Sequence, residues 1–428
     1  MTILKKGRDG YANAAAFLGE ESPLFAAGTF LRSGLTADME TLTAAYRENW
    51  LAKRIIDMPA EDMTRAWYTP VGSLPEEVFA QIRLLEARHS VKQELTNAIR
   101  WARLYGGSVA LMVLQGENGL LETPLDLRLL LPDCFQGLLV LDRTQGITPS
   151  GELVSDLDDP DYGLPAWYEA ELNSGDHRLV RIHHSRVLRF TGRELPAAET
   201  VRESYWGASE LEHVWDELQK HAALSANIAQ LVFQANLTTL KMGDFGELLA
   251  RGTDSEKREL LETLAAENRM RTSYGLQLMS AGDSLETHPY SFAGLAEIYE
   301  CFMMDMAGAA EIPATRLFGR SPAGMNATGE SDLRNYYEMI AQLQERMLRP
   351  ALNRLLPVMA RSCCGFVPDD LDCVFCPPMT ASAAERAELE GRLSASVLEA
   401  WKAGLIPRET ALNELKARGE PLGYWTGL

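Results

Sequence analysis

The segment Ala309 to Ile340 constrains this chain more than any other, because it reads as helix, loop and long helix in direct succession. Ser291 to Ile312 reads as a helix rich in Met and Ala, and Pro313 then disfavours helical geometry at the residue before it. From Ile312 to Gly329 there is no carboxylate, and the charged side chains are Arg316 and Arg320 alone. Gly319, Gly324 and Gly329 let this backbone turn through positive φ at little steric cost. A flexible loop carrying Arg316, Arg320 and Asn326 is therefore expected. From Glu330 onward, Leu333, Tyr337, Ile340, Met347, Ala351 and Leu355 recur at helical spacing. Pro350 lacks an N–H and crowds the preceding turn, so it should kink that helix.

A length of 428 residues suggests two to four domains, and 46% hydrophobic residues supply material for sizeable cores. No window approaches the roughly 18 uncharged apolar residues that a membrane helix needs. Ala14 to Leu18 is too short for a signal-peptide core and is followed by Glu20-Glu21. Six cysteines in a chain this long are expected to be reduced thiols in a cytoplasm. The formal charge of −19, with 41 basic against 60 acidic residues, argues against tight nucleic-acid binding. It suits either plain solubility or a wall that DNA must pass without sticking.

Residues 1–38, rich in Ala, Gly and Ser, read as an arm without sustained period. Met39 to Ala66 and Glu76 to Tyr105 read as helical regions, the second closed by Gly106-Gly107, after which Ser108 to Gln115 is a strand-length apolar run. Leu127 to Leu131, Leu138 to Leu141, Ala166 to Leu172 and Arg186 to Phe190 read as short strands. Ser209 to Leu237 is a long helix, and Thr238 to Met242 leaves it. Thr253 to Glu256 has the capping-box pattern and starts another helix, Gly275 to Met279 reads as a strand, and helical runs return from Ala381 to Leu415. The fold class expected is α+β, mainly helical.

Three constellations invite chemistry. Asp156 to Asp161 holds four carboxylates but lacks the ligand order, glycine and terminal glutamate of a calcium loop. Cys373-Val374-Phe375-Cys376 places its thiols on opposite faces of a strand, which favours buried small hydrophobes over a zinc site. His183-His184-Ser185-Arg186 resembles half of a two-histidine phosphodiesterase, but no other histidine starts the second His-x-Thr/Ser triplet that such an enzyme needs. No phosphate-binding Walker sequence, Gly-x-Ser-x-Gly or His-Glu-x-x-His occurs, so no catalytic, metal or cofactor residue is assigned.

Three segments together resemble phage portal (head–tail connector) proteins, in particular a group labelled by a domain of unknown function. They are Tyr46 to Trp67 (Tyr-Arg-Glu-Asn-Trp-Leu-Ala-Lys-Arg-Ile-Ile-Asp-Met-Pro-Ala-Glu-Asp-Met-Thr-Arg-Ala-Trp), Ile182 to Gly192, and Ile312 to Tyr337. The resemblance implies a homo-oligomeric ring, commonly of twelve subunits, at one capsid vertex. Double-stranded DNA would pass through its channel with weak contacts. The large subunit of the terminase motor would dock first, and capsid and head–tail adaptor proteins would be further partners. No membrane and no cofactor would be involved, and the ring would lie in the virion after assembly in the host cytoplasm. By position, 39–208 would be the wing, 209–237 and 291–312 the stem helices, and 238–290 the clip between them. Residues 313–329 would be the tunnel loop, with Arg316, Arg320 and Asn326 facing DNA. Residues 330–380 would form a long kinked spine helix and a return strand, and 381–428 a short crown. In the clip, Glu256, Lys257 and Arg258 would meet the motor. Two rivals stay open: a nucleotide or cyclic-oligonucleotide phosphodiesterase, an activity attached to some relatives of that group, and a non-portal capsid adaptor.

Overall fold

Short polar side chains set where the first helices begin and end. A computed structural model describes residues 35–117, 119–171, 179–233, 236–241, 253, 262, 284–289, 292–319, 330–378 and 383–419. Helix α1 (Met39–Glu48) opens at Asp38, whose carboxylate accepts from Thr41 N at 3.1 Å. Helix α2 (Trp50–Arg65) opens at Asn49, whose side chain accepts from Leu51 N and Ala52 N at 2.9 and 3.3 Å. The helical stretch expected from Met39 to Ala66 is thus two helices, because extended Asn49 satisfies N–H groups that a first turn leaves free. Strand β1 (Tyr68–Val71) follows. The region expected to be helical from Glu76 to Tyr105 also divides, into α3 (Glu76–Arg88) and α4 (Val91–Tyr105). Ser90 stands between them in the left-handed region, with φ 51°.

Strands β2 (Gly107–Leu114), β3 (Phe135–Asp142), β4 (Thr148–Pro149), β5 (Trp167–Glu171), β6 (Leu179–His183) and β7 (Val187–Thr191) build two antiparallel three-stranded sheets, ordered β3-β2-β7 and β4-β5-β6. Ser108 pairs with Asp142 and Phe190, so β2 is the central strand of its sheet. Its charge-free sequence follows from burial on both faces. Val109 and Leu111 join Leu141, Tyr168, Ile182, Val187 and Trp206 in one apolar cluster, while buried Leu95, Ile99 and Ala102 of α4 supply a second apolar layer.

Two of the expected strands change. Leu127 to Leu131 contains a 3-10 turn, Leu127–Leu129, because the Asp126 carboxylate accepts from Arg128 N at 2.9 Å and curls the chain. Arg186 closes another such turn, His184–Arg186, and β7 starts only at Val187.

After α5 (Ala197–Arg202) comes the long helix α6 (Glu210–Phe233). It ends before the expected Leu237, and strand β8 (Asn236–Lys241) pairs with β9 (Ser284–Pro289) from Asn236↔Pro289 to Lys241↔Ser284. Helix α7 (Leu295–Ala309) ends near the expected Ile312, with Glu311 left-handed at φ 57°. Residues 254–256 of the expected capping box and the strand at Gly275 to Met279 lie outside the described residues.

Pro313 then starts a helix as well as stopping one. Its carbonyl accepts from Arg316 N and Leu317 N, both at 2.8 Å, and α8 (Ala314–Phe318) forms where a flexible loop was expected. Helix α9 (Glu330–Leu343), a π-helical turn (Gln344–Leu348) and α10 (Arg349–Cys364) run on without a break. The wider π turn sits where the Pro350 ring would crowd the carbonyl four residues earlier, so the anticipated irregularity is a π turn. Strand β10 (Asp372–Phe375) returns to β1, pairing Tyr68 with Phe375 and Val71 with Asp372. Helices α11 (Ala383–Lys402) and α12 (Arg408–Gly419) complete a mainly helical α+β architecture.

The chain divides into two units. One holds the described residues of 30–213, 311–317 and 323–428, and the other those of 214–310 and 318–322. In the smaller unit, Leu218, His221, Met303 and Met306 are buried, and the His221 ring lies 5.4 Å from that of Tyr299. No helix among the described residues is long and apolar enough to cross a membrane.

Candidate functional site

Helix α2 presents Leu51, Ala52, Ile55, Ile56 and Met63 to the core, and Asp62 falls on the same buried side. The Asp62 side chain is only 4% exposed, so its charge needs partners. Arg316 of α8 donates to Asp62 Oδ2 at 2.5 Å, and the Tyr336 hydroxyl of α9 donates to the same oxygen at 2.8 Å. Arg65 stands 3.6 Å from the other oxygen. Burial opposes the charge on Arg316, but the hydrogen bond and charge of Asp62 outweigh it and raise the guanidinium above its ordinary value. Burial first, then the Asp62 charge, push the Tyr336 phenol well up, so it stays a neutral donor.

The same helix makes further ties. Arg54 donates to the Leu317 carbonyl at 2.6 Å. Arg65 donates to the Tyr337 hydroxyl at 3.1 Å and to Pro378 O at 2.9 Å. Buried Gln344 of the π turn donates to Met63 O at 2.6 Å and so satisfies a carbonyl in the last turn of α2. Beside this centre opens a cleft of about 840 Å³ whose lining includes Glu61, Arg65, Trp67, Lys92, Arg100 and Arg316. Its cations are engaged: Arg100 reaches Asp57 at 2.7 Å and Glu61 at 3.0 Å, and Lys92 donates to Arg65 O at 3.2 Å.

A second polar cluster unites two sequence candidates. His184 Nδ1 lies 2.7 Å from Asp161, and its Nε2 lies 3.8 Å from Asp159. Arg354 of α10 meets Asp161 at 2.6 Å and donates to His184 O and Val187 O, each at 3.0 Å. Burial works against the Asp161 charge, yet the His184 and Arg354 hydrogen bonds win and hold it at about 2. Desolvation, with His184 and Arg186 nearby, lowers His183 to about 4. Asp159, Asp161 and His184 are spaced to share a cation, and Arg354 already supplies one. Elsewhere, Cys373 is buried and Cys376 exposed, each in its own surroundings.

A family model described as phage portal protein matches residues 40–398. The chain belongs to the phage portal protein family. An uncharacterised protein of Haemophilus influenzae is 28% identical over 414 residues, covering 96% of this chain and 90% of the relative. An anti-CBASS protein Acb1 of Caulobacter is 32% identical over 364 residues, 82% of this chain and 56% of the relative, so the portal-family chain spans little more than half of that protein. Among solved structures, the neck of an empty GTA particle computed with C6 symmetry contains a chain of similar fold, with a TM-score of 0.50 and 16% identity over 88% of this chain and 93% of that one.

Of the side chains singled out from sequence, Arg316 belongs to a helix and is paired with Asp62 rather than carried free on a loop. Arg320, Asn326, Glu256, Lys257 and Arg258 lie outside the described residues. Sequence reasoning passed over Asp62 and Tyr336. The available signal was a carboxylate at i+7 from Ile55 on the apolar stripe of α2, where a charge needs a partner.

Proposed function

We propose that this chain is a portal subunit. It assembles with copies of itself into a closed ring, of twelve subunits, at one vertex of a capsid, and double-stranded DNA passes through the ring during packaging and ejection. The observation that carries this reading is the family match across residues 40–398. A physical observation supports it: Phe292, Ile298 and Met304 in and just before α7 are 40, 49 and 47% exposed, apolar surface that a neighbouring subunit would cover. The residues from 209 to 312 are read as two stem helices with a clip between them, where the large terminase subunit docks and where Glu256, Lys257 and Arg258 would meet it. Adaptor proteins attach after packaging, and the assembled ring resides in the virion. With Arg316 neutralised by Asp62, weak contact with DNA is assigned to Arg320 and Asn326.

The test is assembly of the purified protein. Mass measurement in solution should give a species of about ten or more subunits, and negative-stain images should show rings with a central hole. A monomer at high concentration in low and moderate salt would overturn the reading.

The name anti-CBASS protein Acb1, carried by two relatives of which this chain spans 56 and 60%, opens an enzymatic alternative. Local chemistry speaks for the non-enzymatic reading. His184 is held between carboxylates and a backbone-bound arginine, and His183 Nδ1 is engaged by Ser185 at 2.9 Å. Release of products from cyclic oligonucleotides by this chain would revive the alternative.

A further inference from the structure

We infer that Asp62 is the positioning residue for α8 and the start of α9, the two flanks of the segment 320–329, which it holds together on one buried carboxylate. Arg316 precedes that segment and Tyr336 follows it, and both end on Asp62 Oδ2, at 2.5 and 2.8 Å. The inference rests on the portal reading only in the role it gives that segment, as the part of the chain that faces DNA.

Three features make this a clamp. First, the carboxylate is buried, so neither donor can be exchanged for water without leaving a charge unsolvated. Second, neighbouring residues of the same helix reinforce each flank: Arg54 holds the Leu317 carbonyl on one side, and Arg65 holds the Tyr337 hydroxyl on the other. Third, apolar anchors fix the registers of the two flanks, since Leu317, Tyr336 and Ile340 are all buried. A phosphate that drew Arg316 away would take from buried Asp62 its closest cation and leave only Arg65, at 3.6 Å, to balance the charge. Arg316 therefore acts on the channel through the chain it holds, and not by contact with DNA.

Asp62→Asn keeps the size of the side chain and an acceptor for Tyr336 but removes the charge. Arg316→Gln removes the cation. The assembled protein carrying either change is followed by amide hydrogen exchange, read in peptides spanning 317–335, and by retention of packaged DNA. Each variant should accelerate exchange in these peptides on the order of tenfold, the effect of losing one charge-assisted hydrogen bond. Peptides from β2 should keep their protection. The double variant should exchange no faster than the worse single one, because both remove the same interaction. Unchanged exchange in Asp62→Asn, additive effects in the double variant, or acceleration spread through β2 would each overturn the clamp. Faster local exchange with unaltered DNA retention would keep the clamp and remove 320–329 from the DNA path.

Discussion

Replacing Asp161 by Asn should destabilise the larger unit, and the loss should depend on pH in a stated direction. Asp161 is held at about 2 against an ordinary 3.8, and its side chain is 18% exposed, so solvent screens the effect little. At roughly 1.4 kcal/mol per pKa unit, the ionised carboxylate contributes about 2 kcal/mol. A depressed acid adds stability above its unfolded pKa and loses it as pH falls through its folded pKa. The contribution should be full above about pH 5, about half gone by pH 3 and nearly absent at pH 2. Asn is isosteric and keeps one acceptor, but it removes the anion that Arg354 meets and leaves the guanidinium with neutral acceptors, among them the His184 and Val187 carbonyls. Urea unfolding at fixed chain concentration, repeated from pH 7 to pH 3 for both proteins, measures the difference. A loss below about 0.5 kcal/mol at pH 7 would refute the argument, since that is what an exposed ion pair gives. So would a difference that fails to shrink between pH 5 and pH 3.

Glu86 sits buried with the Tyr68 hydroxyl and Trp67 Nε1 as donors, and desolvation raises its pKa. Wild type therefore loses stability as pH rises through that value, and Glu86→Gln should have the higher urea midpoint at pH 8, the gap closing toward pH 4; a lower midpoint at pH 8 would reverse the sign of the argument. Gly107→Ala places a Cβ 2.2 Å from the buried Trp206 ring, and Gly192→Ala one 2.3 Å from the Ala208 carbonyl. Each should lower stability by about 3 kcal/mol, seen as a fall in melting temperature, and a fall no larger than that of an exposed Gly151→Ala control would be inconsistent with the packing. On the proposed portal reading, reversal of Lys257 and Arg258 to Glu should slow association of the terminase motor most clearly at low salt, with ring assembly intact, and an unchanged rate would move the proposed docking away from that segment.

Helical periodicity made most long elements legible, because burial of one face repeats with the turn. What it could not show were interruptions set by single residues. Asn49 and Ser90 each break a continuous apolar pattern through cap geometry that the period does not register. Leu127 to Leu131 looked like a strand because it is apolar, yet Leu129 and Leu131 are 72 and 67% exposed and Asp126 decides the local conformation. The acidic run at 156 to 161 and the histidine pair were each visible, but their meeting with Arg354 depends on how α10 crosses the sheets. Arg316 and Asp62 stand 254 positions apart, a separation across which no local pattern can pair them.

The distribution of cations bears on how such a chain could face DNA. With 60 acidic residues against 41 basic ones, arginines in the larger unit meet carboxylates readily. Arg103 and Arg193 share Glu210, Arg143 meets Glu203, Arg186 meets Glu117, and Arg354 meets Asp161. Arg193 also reaches Glu311, so the chain ends flanking the smaller unit at 210 and 311 are bound to the same guanidinium. A phosphate competing for any of these arginines must first displace an anion already at hydrogen-bond distance, and in the buried cases it must strand that anion. Arginine here works as an internal tie. On the proposed portal reading, a duplex would gain little by stopping beside arginines already paired, because non-specific affinity scales with the phosphates neutralised. On that reading low friction would follow from the same pairing that holds the helices in place, and Arg316 is the case in which the two roles would meet at one residue.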